Sequence, residues 1–398
     1  MIRTIGVIGG GQLGRMFALD AKRMGYDVIA LDPQPRSPCG QVADEQIVAQ
    51  YDDFDAIERL GACTDIVTYE FENIAIESIR RLETRGYAVS PSSRVLQITQ
   101  DRIAEKTFAR DCGAPVAGFA EVSSSDDVRA AGERIGYPAV LKTVSGGYDG
   151  KGQWRVTDER SALAALKEAG GARLIFERWI PFEREISVIC TRSAKGEIVS
   201  YPAAENEHDA GILSLSLVPA RISSEIAGNA RKISERLAAA LEIVGTFCVE
   251  FFVANGDLLV NEIAPRPHNS GHYTIDATRC SQYEQHVRAI CGLPLSPPKL
   301  MRNAIMVNIL GTGTGNTLEG VDQLLEDPSI VLHVYGKRHA PNRRKMGHFT
   351  MLLEGSITER DMARAREARA LLRWTGSADD EVAHHEDNRD LKDSLNRR

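Results

Sequence analysis

The stretch Ser145-Gly146-Gly147-Tyr148-Asp149-Gly150-Lys151-Gly152 decides how the rest of the chain is interpreted. It follows an apolar run at 138–141 that predicts a strand ending at Lys142. Its glycines allow backbone N–H groups to fold around phosphate oxygens, although the spacing is not that of a Walker P-loop. An isolated stretch of this kind is commonly a surface hairpin. Lys142 before the segment and Lys151 within it favour a lid that closes over a nucleotide.

Two acidic residues further along the chain, Glu250 and Glu262, both lie in apolar runs. The pair Asn255-Gly256 between these runs predicts a tight hairpin. A three-residue hairpin loop would place the two carboxylates opposite each other. That arrangement is repulsive, and Mg²⁺ bridging ATP phosphates would relieve the repulsion. A two-residue loop would place Asn261 opposite Glu250 instead, without any need for a metal. The first register is favoured because it accounts for both acids together.

Polar residues before and after these acids suggest further contacts. The apolar run 174–176 leads into Glu177, whose carboxylate could take the exocyclic amine of an adenine ring, with Glu185 within reach of ribose hydroxyls. A loop at 265–272 is held by two prolines, so Arg266 and His268 would emerge beside the metal. A histidine in this setting is a candidate for contact with substrate.

A glycine motif near the N-terminus suggests a different class of protein. Residues 9–14 satisfy G-x-G-x-x-G between a predicted strand and a predicted helix, and Asp32 lies where an acid would bind the ribose of NAD. The physics specifies only a tight turn and an anion at a helix N-terminus. The phosphate of another substrate would fit equally well, and close helix–strand packing would also explain the glycines.

The order of predicted elements divides the chain into units. Strands at 5–8, 28–31 and 66–68 alternate with helices at 13–24 and 74–85, which predicts a parallel sheet. Antiparallel strands with two or three helices follow to residue 265, with hairpins at 195–196 and 255–256 and an amphipathic helix at 222–241. The predicted divisions are residues 1–100, residues 101–297 with a lid subdomain at about 115–180, residues 298–375, and a disordered polar tail at 376–398.

Composition limits the possible functions. The 398 residues carry a net charge of −7, with a pI of about 5.8, so bulk charge does not suggest a nucleic-acid partner. Seven scattered cysteines form no Cys-x-x-Cys pair, which argues against disulfides and structural zinc and predicts buried, reduced thiols. No signal peptide or membrane span is predicted. We therefore expect a cytoplasmic protein.

Five segments together resemble one family. They are residues 9–16, 146–153, 261–272, 335–337 and 344–348. Over about residues 3–370 the chain resembles the N5-carboxyaminoimidazole ribonucleotide synthetases of the ATP-grasp superfamily. The resemblance implies a mixed α/β and α+β fold of ATP-grasp architecture, with an N-terminal Rossmann-like (pre-ATP-grasp) domain and a small β-rich C-terminal domain. In this family the Rossmann-like domain holds no dinucleotide.

The resemblance also implies an activity. It is the ATP-dependent carboxylation of 5-aminoimidazole ribonucleotide with bicarbonate, through carboxyphosphate, in purine biosynthesis. The products are N5-carboxyaminoimidazole ribonucleotide, ADP and phosphate. Two Mg²⁺ ions are implied, with Mn²⁺ as a possible substitute. A homodimer is expected, and so is a separate mutase, because 398 residues leave no room for a fused mutase domain.

Site residues follow from the matched motifs. The implied ATP-binding residues are Arg102, Lys142, Gly147, Tyr148, Asp149, Gly150, Lys151, Gly152, Gln153, Glu177, Arg178, Trp179, Ile180, Glu185, His208, Asn261 and Glu262. The implied metal ligands are Glu250 and Glu262. The implied catalytic residues are Tyr148, Asp149, Lys151, Arg266 and His268. The implied residues for the ribonucleotide and its phosphate are Gly11, Gln12, Leu13, Glu72, Arg266, His268, Asn269, Ser270, Lys337, Arg344 and Lys345.

Three other functions compete with this one. Another ATP-grasp ligase, such as a formate-dependent glycinamide ribonucleotide transformylase, would share the central motifs, but the segments at 335–337 and 344–348 favour the carboxylating family. An NAD(P)-dependent oxidoreductase would use residues 9–14 and Asp32, and would leave the acid pair unexplained. A non-catalytic nucleotide-binding protein would not need acids arranged around a metal.

Overall fold

The computed structural model describes residues 2–146, 152–313 and 315–376. A parallel four-stranded sheet of order β3-β2-β1-β4 forms the first unit, as the alternation of strands and helices predicts. Its strands are β1 (Thr4–Ile8), β2 (Asp27–Leu31), β3 (Glu45–Ile47) and β4 (Ile66–Tyr69). Its helices are α1 (Gln12–Arg23), α2 (Phe54–Cys63), α3 (Ile76–Thr84) and α4 (Ser93–Thr99).

A connecting helix, α5 (Arg102–Asp111), leads into an antiparallel unit that carries the glycine-rich segment. Asp101 begins this helix by accepting hydrogen bonds from the N–H groups of Ile103 and Ala104. The antiparallel sheet has the order β5-β8-β6-β7. Its elements are β5 (Phe119–Val122), α6 (Ser125–Ile135), β6 (Ala139–Thr143), β7 (Gln153–Val156), α7 (Glu159–Glu168) and β8 (Leu174–Arg178).

The central unit is built on a long antiparallel sheet. Its strands are β9 (Arg184–Arg192), β10 (Ile198–Ser200), β11 (Ala204–Asp209), β12 (Ile212–Val218), β13 (Gly245–Ala254) and β14 (Asp257–Ala264). The helices are α8 (Ser224–Leu241), α9 (Thr274–Ala277) and α10 (Gln282–Ile290), with a 3₁₀ turn at Asn269–Gly271. The strand predicted at 198–203 is therefore three residues long.

Helix α8 shows how the sequence pattern produces the packing. The Ser223 side chain accepts a hydrogen bond from the Ile226 N–H, and the helix begins at Ser224, two residues later than predicted. Apolar residues at a spacing of three and four then form one buried face against β9 and β13. The buried apolar residues of this face are Ala230, Ile233, Leu237, Ala238 and Leu241.

Three strands of the C-terminal unit extend the central sheet, and two more pair in a small separate sheet. Strands β15 (Asn303–Leu310), β17 (Ile330–Val334) and β18 (Lys345–Leu353) follow β12 in the order β12-β15-β18-β17. The remaining elements are β16 (Thr317–Glu319), α11 (Val321–Leu325), α12 (Glu359–Ala370) and β19 (Arg373–Thr375). Apart from Gly376, the predicted disordered tail lies outside the described residues.

Two further expectations concern the whole chain. Four cysteines are buried, as predicted, but Cys63 is exposed, and Cys112 and Cys291 are half-buried, so the prediction of uniformly buried thiols is wrong. Cys63 lies at the last position of α2, where the helix meets solvent. Among the described helices, none combines the length and the apolar character needed to cross a bilayer.

Candidate active site

The two acids predicted to face each other do so at the open end of the β13–β14 hairpin. The turn has two residues, Asn255 and Gly256, both with positive φ (51° and 82°), so the three-residue loop is wrong. A bulge leaves Asn261 without an opposite residue, and this extra residue restores the register in which Glu250 pairs with Glu262. The prediction that the two carboxylates face each other is therefore confirmed, but the bulge and not the turn length is the cause.

The environment of the acid pair is electrostatically divided. Burial, and then the Glu262 carboxylate, raise the pKa of Glu250 to about 7. Burial acts in the same direction on Glu262, but the Arg102 guanidinium at 3.1 Å, together with Lys142 and Arg266, lowers the pKa of Glu262. The His268 Nε2 lies 3.3 Å from a Glu250 oxygen. These two half-buried carboxylates therefore offer oxygen ligands and negative charge that suit a hard divalent cation.

A buried ion network joins three units next to the acid pair. Glu177 on β8 accepts a hydrogen bond from Lys142 on β6 at 2.9 Å, and Lys106 on α5 lies 3.8 Å away. Burial opposes ionisation of Glu177, but Lys106 and Lys142 lower its pKa to about 2. The Lys106 ammonium also donates to the Val260 carbonyl on β14. Of the two carboxylate oxygens of Glu177, Oε1 has no hydrogen-bond partner among the described residues.

The other predicted nucleotide residues occupy two places. His208 on β11 contacts Glu185 on β9 at 2.5 Å. Burial lowers the pKa of His208, but the hydrogen bond to Glu185 and the negative charges of Glu185 and Glu250 together raise it. At the end of β8, the Arg155 guanidinium covers the Trp179 ring at 4.3 Å. The exposed Arg178 donates to the Ile135 carbonyl, and Ile180 lines a cleft with Leu259.

The glycine-rich segment connects two paired strands, as predicted. Lys142 on β6 pairs with Gln153 on β7, and the Thr143 N–H donates to the Gly152 carbonyl. Gly152 has a φ of 68°, which favours glycine. The predictions for Gly147, Tyr148, Asp149, Gly150 and Lys151 concern positions outside the described residues.

The loop after β14 holds an arginine and a histidine in fixed positions. The Arg266 guanidinium makes a two-bond contact with the Glu72 carboxylate, which brings two predicted substrate residues together. Burial, followed by the positive charges of Arg266 and Lys345, holds the pKa of His268 well below its ordinary value. His268 is therefore a neutral imidazole.

A chain of buried hydrogen bonds determines which nitrogen of His268 carries its proton. The Asn206 amide donates to the Ser187 hydroxyl, which donates to the Ser270 hydroxyl at 2.7 Å. The Ser270 hydroxyl, 2.8 Å from His268 Nδ1, then donates to that nitrogen. His268 consequently carries its proton on Nε2, facing Glu250. Both Ser270 and Asn269, which pairs with Asn308, have their polar groups engaged beneath the loop.

The N-terminal glycine loop is occupied by carboxylates of the protein itself. The Glu70 side chain accepts hydrogen bonds from the N–H groups of Gly11 and Gly14, at the position where a dinucleotide pyrophosphate would bind. Asp32 accepts hydrogen bonds from the Gly10 N–H and from the Tyr51 hydroxyl at 2.6 Å. The loop N–H groups and Asp32, which suggested an NAD site, therefore form hydrogen bonds within the protein.

The same loop meets the predicted phosphate-binding residues. The Lys337 ammonium donates to the Gln12 side chain at 2.8 Å and to the Lys345 carbonyl at 2.6 Å. Leu13 is buried in the core, and Arg344 is exposed.

Comparisons with known proteins address the whole chain. A ribonucleotide synthetase preATP-grasp domain model matches residues 2–100, an ATP-grasp domain model matches residues 107–283, and a phosphoribosylaminoimidazole carboxylase C-terminal domain model matches residues 304–360. An N5-carboxyaminoimidazole ribonucleotide synthase from Bacillus subtilis is 46% identical over 356 residues, covering 88% of this chain and 91% of the relative. The chain belongs to the N5-carboxyaminoimidazole ribonucleotide synthase family.

Solved structures of this family share the fold. A crystal structure of an N5-carboxyaminoimidazole ribonucleotide synthetase in complex with ADP has a TM-score of 0.86 and 46% identity, covering 93% of this chain and 96% of that one. The synthase from Aspergillus clavatus, in complex with ADP and aminoimidazole ribonucleotide, has a TM-score of 0.84 and 31% identity, with 92% and 96% covered. The expected ATP-grasp architecture is confirmed.

Family membership settles the choice between the competing classes. A synthase of this family is an ATP-dependent ligase that carboxylates aminoimidazole ribonucleotide in purine biosynthesis. The two other functions, an NAD(P)-dependent oxidoreductase and a non-catalytic nucleotide-binding protein, are therefore excluded.

Several residues that build the synthase site were missed from the sequence. They are Glu70, Lys106, Glu105 and the buried amides and hydroxyls of Ser187, Asn206 and Asn308. Their partners lie far away in the sequence. The sequence feature that could have identified them is a polar residue at an otherwise apolar position of a predicted strand or helix, as for Ser187 within β9.

Proposed function

We propose that Glu250 and Glu262 hold the Mg²⁺ that accompanies ATP in the carboxylation of aminoimidazole ribonucleotide. The observation that carries this assignment is the direct pairing of two half-buried carboxylates across the β13–β14 ladder. Like charges in this position destabilise a sheet unless a cation lies between or beside them. When bound, Mg²⁺ supplies positive charge that stabilises the transferring phosphoryl group.

Cationic side chains of the site extend this assignment to the ATP phosphates. Arg102, bound to Glu262, lines the same cleft as residues 144–146 at the start of the glycine-rich segment. A guanidinium in this place can contact a phosphate oxygen while it keeps Glu262 ionised. Lys142 and Glu177 form an ion pair at the base of the lid. The buried Oε1 of Glu177 has no hydrogen-bond partner among the described residues, and we assign it to the adenine amine.

The bicarbonate and ribonucleotide would bind on the other side of the acid pair. His268 carries its proton on Nε2 beside Glu250, and we assign it as a neutral hydrogen-bond donor that would orient bicarbonate once Mg²⁺ occupies the Glu250 carboxylate. Arg266 is held by Glu72 and supplies a fixed positive charge. A closed site is needed here because carboxyphosphate hydrolyses readily in water.

One assay tests this proposal. The protein is incubated with Mg-ATP, bicarbonate and aminoimidazole ribonucleotide, and ADP is measured. We expect ADP formation that requires the ribonucleotide and is abolished when EDTA removes Mg²⁺. ADP formation that is unchanged in EDTA would contradict the metal assignment, and ADP formation that is independent of the ribonucleotide would contradict the arrangement of the acceptor site.

Lys337→Met is expected to weaken binding of the ribonucleotide. A charge-assisted hydrogen bond to phosphate contributes about 1.5–3 kcal/mol, so the KM for the ribonucleotide should rise by about 10- to 100-fold. The KM for ATP and kcat should change little, because Lys337 lies at the Gln12 loop and not at the acid pair. Steady-state kinetics with each substrate varied in turn measure this effect.

The matched control for that variant is Lys195→Met, at the exposed tip of the β9–β10 hairpin. It should leave all three constants unchanged. Equal increases in both KM values for Lys337→Met would place this lysine outside the ribonucleotide site.

We further propose that the protein is a cytoplasmic homodimer whose product is consumed by a separate mutase. The carboxylated product is an N-carboxylate, a labile group that calls for an enzyme moving the carboxylate to carbon. Sedimentation analysis tests the dimer: the chain has a mass of 43.6 kDa, and a single species at that mass would contradict it.

A further inference from the structure

Three potential metal ligands from two units meet at a position separate from the acid pair. Asp276 comes from α9, and His333 and His348 face each other in the β17–β18 ladder. One carboxylate oxygen and one ring nitrogen from each histidine lie within 4.8 Å of one another. His333 Nε2 is 3.0 and 3.1 Å from the two oxygens of Asp276. The Asp276–His333 separations are those expected between two ligands that share an ion at about 2 Å. The His333 and His348 rings stack with centres 4.6 Å apart and planes 15° apart, so one ring has to turn for both nitrogens to bind one ion.

His348 is fully buried and has one ring nitrogen without a partner. Its Nδ1 lies 2.8 Å from the Tyr335 hydroxyl, but its Nε2 has no hydrogen-bond partner in residues 2–146, 152–313 and 315–376. The neighbouring His272, with its ring centre 4.7 Å from that of His348, repeats this arrangement with the Tyr283 hydroxyl. Buried polar atoms in native proteins are nearly always satisfied. The unpartnered Nε2 of His348 is therefore available to bind an ion.

The chemistry of these side chains selects the ligand. The His348 ring is fully buried and packs against the rings of His272 and His333, whose centres lie 4.7 and 4.6 Å away, and burial favours the neutral imidazole that metals bind. The Tyr335 hydroxyl on Nδ1 fixes the ring as an outer partner of a metal ligand does. Two imidazoles and one carboxylate suit zinc or another late first-row divalent ion, whereas Mg²⁺ prefers oxygen ligands.

We propose that Asp276, His333 and His348 form a binding site for a divalent transition-metal ion of the zinc type. His333 is about a quarter exposed, which provides a route of entry from solvent. The ion would join α9 of the central unit to β17 and β18, the strands on either side of the turn that carries Lys337. Its role is therefore to fix the position of this turn, and it takes no part in the chemistry at Glu250 and Glu262.

Metal binding is tested directly on the full chain, purified without a histidine tag and stripped with a chelator. Equilibrium dialysis against Co²⁺ or Zn²⁺ is carried out with millimolar Mg²⁺ present, so that Mg²⁺ competes for the carboxylates. We expect one equivalent of bound metal, and for Co²⁺ a visible absorption band from nitrogen and oxygen ligands. His333→Ala and Asp276→Asn should each remove both signals.

Two control variants separate this site from others on the chain. His339→Ala changes an exposed histidine close in sequence to His333 and should keep the full equivalent. Glu262→Gln alters the acid pair and should also keep it. Absence of stoichiometric uptake by the wild type, or uptake that survives both His333→Ala and Asp276→Asn, would overturn the proposal.

Thermal unfolding distinguishes the loss of a metal ligand from misfolding of the variant. A ligand that binds only the folded state raises the Tm, so Zn²⁺ should raise the Tm of the wild type and of His339→Ala. The Tm of Asp276→Asn should not respond, while its circular dichroism spectrum without metal matches that of the wild type. A Zn²⁺-dependent rise of equal size in Asp276→Asn would also overturn the proposal.

Discussion

Glu262→Gln should lower the rate of ADP formation by about 100-fold or more. Metal-ion stabilisation of a transferring phosphoryl group contributes several kcal/mol, and each 1.4 kcal/mol corresponds to a factor of about ten in rate. The glutamine side chain keeps an oxygen that can accept the hydrogen bond from Arg102 Nη1, now at 3.1 Å from Glu262. The substitution therefore removes charge at the metal position without removing this contact.

Folding of that variant is checked by its circular dichroism and Tm, which should stay close to those of the wild type. Asp257→Asn, at the exposed start of the same strand β14, is the matched control and should retain full activity. ADP formation within about tenfold of the wild-type rate, at saturating Mg²⁺, would show that Glu262 is not a ligand on which the reaction depends.

The position of the acid pair shows how far local sequence rules reach. Asn255-Gly256 correctly predicted a hairpin. The same rule, applied alone, gives a two-residue turn and places Asn261 opposite Glu250. The bulge at Asn261 shifts the register by one residue, and the correct pairing of Glu250 with Glu262 depends on it. A bulge of this kind is fixed by packing on both faces of the sheet, which the hairpin sequence does not contain.

The glycine loop illustrates a different limit. Its pattern, its place between β1 and α1, and Asp32 at the end of β2 all fit a dinucleotide site. What excludes that site is Glu70, which lies 59 residues after Gly11 and occupies the amides of the loop. The motif predicts the backbone geometry of the loop. Tertiary contacts decide which group binds its N–H groups. The family resemblance, which spans the chain, gave the right outcome.

The assignment of Glu177 was incomplete for a related reason. Its place at the end of an apolar strand suggested contact with adenine. The structure adds two lysines, Lys142 from the neighbouring strand and Lys106 from a preceding helix. On β6 and β8, Glu177 faces Val140, so its contact with Lys142 is diagonal across the ladder. Strand pairing between β6 and β8 had to be known before this contact could be predicted.

Glu177→Ala should therefore lower the free energy of unfolding by about 3–5 kcal/mol, the usual cost of removing one partner from a buried ion pair. Both Lys106 and Lys142 would lose their buried counter-charge, and Lys106 is fully enclosed between α5 and β14. Urea unfolding without nucleotide, followed by tryptophan fluorescence, measures the change. Trp154 and Trp179 report from the same unit. Glu168→Ala, at an exposed position on α7, is the control and should be neutral.

The pH dependence gives a second, independent measure of the same interaction. The pKa of Glu177 is lowered to about 2 in the folded protein, against about 4.3 in an unfolded chain. A carboxylate with a lowered pKa stabilises the fold above its unfolded pKa, and this stabilisation is lost as the pH falls towards the folded value. The difference in unfolding free energy between wild type and Glu177→Ala should thus be full at pH 6 and should shrink between about pH 4.5 and pH 2. A difference below about 1 kcal/mol at pH 6 would match an exposed ion pair and would contradict the buried network that fixes the base of the lid.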